Sequence, residues 1–158
     1  MIAVLQRVKR AAVSVDGETV GACGKGLLVL LGVAKGDGEE DARALADKII
    51  NLRIFEDENE KMNLSLLDIG GEILTVSNFT LLASYKKGKR PDYFAAAAPD
   101  EANRLYEYFC ELVEREVSHT GRGVFGADMQ IETVCDGPVT IVMDSNILLK
   151  KKTETEKA

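Results

Sequence analysis

The residues of this chain that can react offer little conventional catalytic machinery. His119 is the only histidine, so a Ser-His-Asp triad or a histidine-rich metal site would have to depend on it. It follows Ser118 in a predicted strand, where a structural or exposed histidine is the common case. Cys135 is a conceivable nucleophile, but no base lies near it in sequence. We therefore expect chemistry without a histidine, and neither a metal ion nor another cofactor.

Two short segments remain as candidate sites. The hydroxyl-rich segment Ser77–Thr80 contains Thr80, a chemically possible nucleophile, although no base that would activate it is evident. The alternative is that its hydroxyls only hydrogen-bond within a strand. The second segment is Gly137-Pro138, since proline removes a ladder hydrogen bond and is confined to sheet edges, bulges and turns. On local grounds this step is a tight turn between two strands, with the usual trans peptide bond.

A third candidate segment is cationic. Four positive side chains, Lys86, Lys87, Lys89 and Arg90, occur close together before Pro91. The whole chain has a formal charge of -6, which disfavours general nucleic-acid binding because that normally requires a basic surface. The run is therefore either a solvated loop or a local contact to nucleic acid.

The first elements along the chain are predicted strands. Asp16-Gly17, between two β-branched segments, is a strong signal for a hairpin. The unbroken apolar run Gly26–Val33 is typical of a strand that is covered on both faces. The segment Glu72–Leu82 predicts one long strand that carries the hydroxyl-rich site, and Val124–Val134 and Val139–Met143 predict the last strands.

Two helices are predicted from apolar residues at helical spacing. Glu39 begins the first, with apolar positions at Ala42, Leu45, Ala46, Ile49 and Ile50. Pro99 begins the second, whose apolar stripe comprises Ala102, Leu105, Tyr106, Phe109, Leu112 and Val113. We expect a single α+β domain over residues 1–148: a mostly antiparallel, curved or barrel-like sheet with two main helices packed on one side. Residues 149–158 predict a polar, disordered tail.

Composition and length agree with one globular domain. The chain has 158 residues, of which 46% are hydrophobic and 29% are charged. No apolar run is long enough to cross a bilayer, so we expect no contact with a membrane. The N-terminus does not resemble a signal peptide, and three cysteines without metal-ligand spacing are typical of a reducing compartment. These features predict a cytoplasmic protein.

Three segments together resemble the signature segments of the D-aminoacyl-tRNA deacylase family, also called D-tyrosyl-tRNA deacylases. They are Ser77–Leu81, Phe125–Met129 and Asp136–Thr140. Further segments are similar to that family: Gln6–Val8, Gly26–Val33, Leu52–Phe55, Lys61–Asn63 and Lys87–Pro91. Each piece alone is weak evidence, but their order and spacing are specific. The resemblance extends over everything before the predicted tail.

The resemblance implies a homodimeric enzyme with its active site at the subunit interface. The reaction it implies is hydrolysis of the ester between a D-amino acid and the 3′-terminal adenosine of tRNA, a chiral proofreading step in translation. Glycine mischarged on tRNA-Ala is an expected second substrate. In this family Gly137-Pro138 corresponds to a cis peptide that enters the partner's pocket, recognises the amino acid through backbone groups and excludes an L side chain. Arg7 matches the residue that orients this step.

The other site residues also come from the resemblance. Ser77, Phe79 and Thr80 match the catalytic wall of the pocket, where backbone N–H groups stabilise an oxyanion. Asn78 matches a substrate-binding position, and Phe125 and Met129 match residues that line the adenosine pocket. The same likeness makes the cationic run, Lys86, Lys87, Lys89 and Arg90, a contact to the acceptor stem.

Two residues depart from the pattern of the family. Asn78 stands where glutamine is usual, and Cys135 stands where asparagine is usual, so both positions lose hydrogen-bonding reach or capacity. We expect these changes to modulate activity, because the recognition that the family implies is mainly by backbone groups. Two alternatives remain open: a protein that binds the 3′ end of tRNA with impaired turnover, and a threonine or cysteine hydrolase that acts on a small ester.

Overall fold

The computed structural model describes residues 1–149 of the chain. Its strands and helices, numbered in chain order, are β1 (Ile2–Val15), β2 (Glu18–Cys23), β3 (Gly26–Gly32), α1 (Glu39–Asn51), β4 (Phe55–Glu56), β5 (Met62–Leu64), β6 (Glu72–Ser77), α2 (Pro99–Glu116), β7 (Thr120–Arg122), β8 (Gln130–Asp144) and α3 (Ser145–Leu149). A short 3-10 helix, Phe79–Leu82, follows β6. The predicted tail lies outside the described residues except for Leu149. No helix among the described residues has the length and apolar character required to span a membrane.

The long strand β1 organises the sheet. Along one edge it pairs antiparallel with β2 and β3, and along the other it pairs antiparallel with β8. The sheet continues from β3 through β6 to β7, and these two pairings are parallel. Strands β7 and β2 then approach each other so closely that a Cβ atom on Gly121 would lie 2.7 Å from the carbonyl oxygen of Ala22. The sheet is therefore a nearly closed barrel, and the predicted α+β class is confirmed.

Strand β3 separates two apolar cores. Leu27, Val29 and Leu31 face the larger core between the sheet and the helices, whereas Leu28 faces the smaller core inside the barrel. Successive side chains of a strand point to opposite faces, so a strand between two cores must be apolar at every position. The unbroken apolar run in the sequence has this cause, and the predicted strand covered on both faces is confirmed.

The two main helices pack on the outer face of the sheet. α1 buries Ala42, Leu45, Ala46, Ile49 and Ile50, which is the set predicted from spacing. α2 begins with Pro99 at its first turn, where a missing N–H is harmless, and it buries Leu105, Tyr106, Phe109 and Val113. Both predicted helices are thus confirmed. The short helix α3 was not predicted, and its Ser145 hydroxyl donates to Asp41 Oδ1 (2.6 Å) and accepts from the Met1 ammonium (2.8 Å).

The N-terminal hairpin forms as predicted. Val15 pairs with Glu18, which leaves Asp16 and Gly17 as a two-residue loop. Both residues have positive φ angles, +51° and +82°, as this tight hairpin turn requires. The loop therefore connects β1 to β2 without disturbing the rest of β1, which goes on to hold the candidate site.

Candidate active site

The hydroxyl-rich segment is not the end of a long strand, and the predicted strand Glu72–Leu82 is wrong beyond Ser77. Strand β6 ends at Ser77, and Asn78 then donates its backbone N–H to the carbonyl oxygen of Leu31 (2.8 Å). The chain turns there into the 3-10 helix, because the neighbouring strand β3 ends at Gly32 and offers no further partners. Ser77 at the end of β6, Asn78 at the turn and Phe79 at the start of the 3-10 helix all line the same cavity. An extended strand would have pointed Asn78 to the face opposite Ser77 and Phe79.

This cavity has a volume of ≈ 470 Å³. Its walls come from the ends of β3 and β6, the start of α2 and the loop before β8. The lining residues include Leu31, Ser77, Asn78, Phe79, Tyr93, Ala102, Tyr106, Phe125 and Met129. A mostly apolar cleft with a few polar groups at one wall is the usual form of a small-ligand site. The predicted positions Ser77, Asn78, Phe79, Phe125 and Met129 are thus brought together.

Tyr106 fixes the wall that α2 contributes. Its hydroxyl donates to the backbone carbonyl of Thr75 (3.0 Å), and its ring lies 6.0 Å from that of Phe125. Burial raises the pKa of Tyr106 far above its usual value, and the neighbouring Cys110 adds to the effect. The phenol therefore remains a hydrogen-bond donor at neutral pH and holds this wall of the cavity in place.

The loop before β8 is not a strand, so the predicted strand Val124–Val134 is wrong for residues 124–129. Ala127 donates its N–H to the Val124 carbonyl (3.2 Å), and Gly126 has a φ of +78°, so the chain makes a turn that an extended strand cannot contain. Met129 packs over Gly123, where an added Cβ atom would lie 2.7 Å from the Met129 sulfur. The turn thereby directs Phe125 and Met129 into the cavity.

Thr80 follows Phe79 in the chain but is not among the residues that line the cavity. It is exposed, and its hydroxyl donates to the side-chain carbonyl of Asn78. A hydroxyl that donates to an amide oxygen is not hydrogen-bonded to a base that would take its proton. The contact orients Thr80 without activating it as a nucleophile.

Gly137-Pro138 is not a turn between two strands, so the local prediction is wrong. It lies within the single strand β8, and its peptide bond is cis. Gln6 of β1 pairs with Thr140 and Val8 pairs with Cys135, so residues 136–139 of β8 all lie opposite Arg7. The extra residues form a wide bulge, called the Gly-Pro bulge below. Pairing resumes on both sides, which is why proline is tolerated inside this strand.

Arg7 anchors the Gly-Pro bulge from below. Its side chain is almost fully buried, and it donates to the carbonyl oxygens of Asp136 (3.1 Å) and Ile54 (2.8 Å). Its guanidinium also lies 3.5 Å from a carboxylate oxygen of Asp136 and 3.7 Å from one of Glu56. A buried guanidinium held by two carbonyls and two carboxylates is a rigid support. Gly137 and Pro138 themselves remain exposed above it.

The two predicted halves of the site do not meet within one chain. Neither Gly137 nor Pro138 belongs to the lining of the cavity. The pocket opens between the sheet and α2, whereas the bulge lies on β8, which pairs with β1 and with no other described strand. One chain therefore presents a cavity at one place and an exposed, rigid projection at another.

The cationic run forms an exposed loop next to the rim of the pocket. Ser84 and Asp92 exchange two backbone hydrogen bonds (2.8 and 2.9 Å), which close the loop at its base. Lys86, Lys87, Lys89 and Arg90 lie within it, all exposed. The loop joins the 3-10 helix to Tyr93, whose ring makes an edge-to-face contact with Phe79 (5.0 Å between centroids). The loop that carries the cations thus lies between two residues that line the cavity, Phe79 and Tyr93.

The remaining reactive residues form no second site among residues 1–149. His119 is exposed just before β7, and Cys135 is exposed on β8. No group of three or more His, Cys, Asp or Glu side chains in this part of the chain is arranged to hold a metal ion. The cavity beside Phe79 and the Gly-Pro bulge therefore remain the candidate functional features.

Comparison with known families agrees with this geometry. The family model described as D-Tyr-tRNA(Tyr) deacylase matches residues 4–144. The chain belongs to this family. The match includes every residue that lines the cavity, called the deacylase pocket below, and the whole Gly-Pro bulge. Both features therefore lie in the part that the chain shares with the D-Tyr-tRNA(Tyr) deacylase family.

Individual relatives extend over nearly the whole chain. A D-aminoacyl-tRNA deacylase of Caldicellulosiruptor saccharolyticus is 56% identical over 145 residues, which are 92% of this chain and 97% of that protein. One of Anaeromyxobacter dehalogenans is 56% identical over 148 residues, 94% of this chain and 99% of that protein. A solved structure named c-Myc DNA Unwinding Element Binding Protein is 41% identical and has a TM-score of 0.86, covering 91% of this chain and 98% of its own.

Several residues that line the deacylase pocket were not predicted from the sequence. Tyr93 and the first turn of α2, including Pro99 and Ala102, line the cavity. Ala102 and Tyr106 were assigned to the core because they belong to the apolar stripe of α2. A tyrosine within that stripe was the available signal, since a buried phenol requires a hydrogen-bond acceptor.

Proposed function

We propose that this chain hydrolyses the ester bond of D-aminoacyl-tRNA, and that the complete site forms between two copies of it. The observation that carries the proposal is the separation of an open pocket from an exposed, rigid Gly-Pro bulge in a chain of the D-Tyr-tRNA(Tyr) deacylase family. The pocket provides a cavity without the Gly-Pro step, and the bulge presents the Gly-Pro step outside that cavity. The relatives named above act on D-aminoacyl-tRNA, and their length and identity favour the same substrate here.

The surface of β8 supports a dimer. This strand is fifteen residues long, and among the described strands it pairs only with β1, so its other edge is free. It exposes apolar side chains, with Val142 at 71% and Ile131 and Val134 at 37% each. A long, apolar and unpaired edge strand promotes aggregation unless a partner covers it. A second copy that covers this edge protects it and brings the Gly-Pro bulge of one subunit toward the pocket of the other.

The proposed roles follow from this arrangement. Gly137 and Pro138 contact the amino acid through backbone groups and leave no room for an L side chain, while Arg7 keeps them in place. Ser77, Phe79 and Thr80 form the opposite wall, where backbone N–H groups stabilise the oxyanion. Phe125 and Met129 hold the terminal adenosine. With no activated side-chain nucleophile in the pocket, the ribose 2′-hydroxyl beside the ester is the group that we propose assists water attack.

The cationic loop has a role in affinity under the same proposal. Its four cations contact the tRNA backbone near the reacting end, in a protein whose overall charge is -6. Replacement of one of these lysines by alanine weakens binding and reduces the salt dependence of log K by about one phosphate contact. A cytoplasmic location, where tRNA is charged, completes the proposal.

The principal test measures release of labelled D-tyrosine from D-tyrosyl-tRNA, with L-tyrosyl-tRNA as the control substrate. The proposal requires fast release from the D substrate only. Glycyl-tRNA charged on tRNA-Ala is a third substrate for the same assay. Equal rates on the D and L substrates would indicate an unselective esterase, and no release from either would leave nucleic-acid binding without turnover, the kind of activity for which the 41% identical solved relative is named.

A mixing experiment tests the shared site directly. One variant carries an intact pocket and a disrupted bulge (Gly137→Ala), and the other carries an intact bulge and a blocked pocket (Ala102→Trp). Each homodimer lacks one half of every site. Random exchange of subunits creates heterodimers with one intact site, so activity should return to about a quarter of that of the wild type. No recovery, although mass spectrometry detects heterodimers, would mean that each subunit completes its own site.

A further inference from the structure

Two exposed aromatic rings lie beside the cationic loop and have no role in the proposed reaction. Tyr85 is 88% exposed and Phe94 is 78% exposed, which makes them the most exposed aromatic side chains among the described residues. Large aromatic side chains normally bury much of their surface in the core or in an interface. Two of them at one place mark a surface that interacts with something outside the chain.

The backbone places both rings at the base of the loop. Tyr85 directly follows Ser84, and Phe94 lies two residues after Asp92, the partner of Ser84 in the closing bridge. The side chain of Asp92 also accepts the backbone N–H of Phe94 (3.3 Å), which ties that residue to the bridge. The backbones of both residues therefore lie next to the bridge that closes the cationic loop.

The surroundings of the rings are cationic on one side and lead to the deacylase pocket on the other. Lys86 follows Tyr85, and Tyr93, which lines the pocket, precedes Phe94. Among residues 1–149, the cations in ion pairs are the Met1 ammonium and arginines elsewhere, and none of the four loop cations takes part in one. Unpaired cations and exposed aromatic rings on one segment are the combination with which proteins bind single-stranded nucleic acid.

We infer that Tyr85 and Phe94 stack on the unpaired nucleotides that precede the terminal adenosine of tRNA, while the loop cations hold their phosphates. The inference rests on the proposed function and deepens it, since it names the part of the tRNA that this surface binds: its single-stranded 3′ end rather than the duplex of the acceptor stem. Two observations favour this part of the tRNA as the ligand. The loop cations complement its anionic backbone, and the surface adjoins the pocket at Tyr93. Stacking does not depend on the identity of the base, so this contact serves every tRNA.

Two substrates, one with and one without the nucleotides that precede the terminal adenosine, test whether the rings act beyond that adenosine. One is D-tyrosyl-tRNA, and the other is the D-tyrosyl ester of adenosine, which ends where the stacking nucleotides would begin. Tyr85→Ala and Phe94→Ala should each lower kcat/KM on the tRNA substrate about tenfold, through KM. Activity on the adenosine ester should not change. Tyr85→Phe, which keeps the ring and removes only the hydroxyl, should retain the wild-type value on both substrates.

Several outcomes would overturn the inference. An equal loss on both substrates would assign the rings to the folding of the pocket, and no loss on either would leave them without a role in binding. A change from dimer to monomer in sedimentation of Tyr85→Ala would assign the rings to the subunit interface. Retention of full activity by both alanine variants, with only the lysine variants weakened, would restrict the contact to phosphates.

A binding measurement separates failure of the inference from failure of the proposed function. Stereospecific hydrolysis of the adenosine ester by the wild type tests the function and does not involve the rings. If the wild type hydrolyses neither substrate, titration with a fluorescent single-stranded RNA and with a duplex of the same length still decides the inference. Preference for the single strand, lost in the Tyr85→Ala, Phe94→Ala double variant, supports it, and equal affinity for both RNAs contradicts it.

Discussion

The deacylase pocket and the Gly-Pro bulge are built in opposite ways. The pocket is a cavity between element ends, where β3, β6, α2 and a loop meet, and its walls are side chains such as Tyr106 and Phe125. The bulge is a projection within one strand, and the groups that it presents belong to the backbone of Gly137 and Pro138. The pocket depends on packing and the bulge depends on one buried guanidinium. We therefore expect that substitutions at only a few positions disrupt the bulge, whereas substitutions at many positions can alter the shape of the pocket.

Removal of the support below the bulge should have the largest effect. Arg7→Ala leaves the Asp136 carboxylate and two carbonyl groups without their buried partner, which should lower the free energy of unfolding by about 3 kcal/mol. We also expect kcat/KM for D-tyrosyl-tRNA to fall at least a hundredfold. A loss of that size corresponds to about 3 kcal/mol, because each factor of ten is about 1.4 kcal/mol. Denaturant unfolding and the deacylation assay measure the two effects.

Arg7→Lys separates folding from positioning at this site. It keeps the positive charge but cannot reproduce the planar fork of hydrogen bonds. If the Arg7→Lys protein folds and its preference for the D over the L substrate is reduced, Arg7 positions the Gly-Pro bulge. Wild-type selectivity would contradict this role. Arg115→Ala, at an exposed arginine near the end of α2, is the matched control and should leave both stability and activity unchanged.

A substitution in the bulge itself should have the next largest effect. Gly137 has a φ of +136°, and a Cβ atom added there would lie 2.7 Å from the backbone nitrogen of Val139. Gly137→Ala should therefore cost about 1–3 kcal/mol of stability and reduce deacylation about tenfold or more. Gly17→Ala is the control, because Gly17 also has a positive φ but has open space around it. Equal activity losses in both variants would show that the crowding at Gly137 is irrelevant to the reaction.

The two departures from the family pattern should have moderate effects, one in each region. Asn78→Gln lengthens a side chain at the pocket wall, and Cys135→Asn restores an amide beside the bulge. We expect each to change kcat/KM for D-tyrosyl-tRNA less than tenfold, because backbone groups make the main contacts in both regions. A gain of more than tenfold in either variant would mean that the missing amide limits the natural chain.

Thr80→Ala should have a small effect on turnover. Its hydroxyl donates to the Asn78 side chain and has no base to activate it, so most of kcat should remain. The control is Thr140→Ala on β8, whose hydroxyl donates to Gln6 Oε1 (2.7 Å) outside the pocket. Capture of an acyl group on Thr80, detected by mass spectrometry after rapid quenching, would refute the positioning role.

The rates at which a disulfide reagent modifies the cysteines should compare the accessibility of the two regions, with the smallest disturbance of the protein. Burial raises the pKa of Cys23 to about 11 and that of Cys110, behind the pocket wall, to about 12, while Cys135 beside the bulge is exposed. Since the thiolate is the reactive form, a disulfide reagent at pH 8 should modify Cys135 first and the other two only after unfolding. Modification of Cys110 as fast as Cys135 would mean that the pocket wall opens. Cys135→Ser should remove the fast reaction.

The sequence by itself determined most of the scaffold. The spacing of apolar residues predicted both main helices and the doubly covered strand β3, because burial against a fixed period leaves a direct trace in the sequence. Asp16-Gly17 predicted its hairpin for an equally local reason, since the turn requires positive φ angles. The three family segments also led to the pocket residues Ser77, Asn78, Phe79, Phe125 and Met129 before any geometry was known.

Tertiary structure alone decided how these residues are presented. The end of β3 at Gly32 turns the chain at Asn78 into a 3-10 helix, and that partner is distant in sequence. Continuous pairing with β1 on both sides makes residues 136–139 a bulge rather than a turn, and the buried Arg7 comes from the other end of the chain. Strand pairing and burial depend on contacts between distant segments, so local residue preferences cannot encode them. For that reason the sequence could name the glycine and the proline, whereas the fold shows that they project from the chain and away from its own pocket.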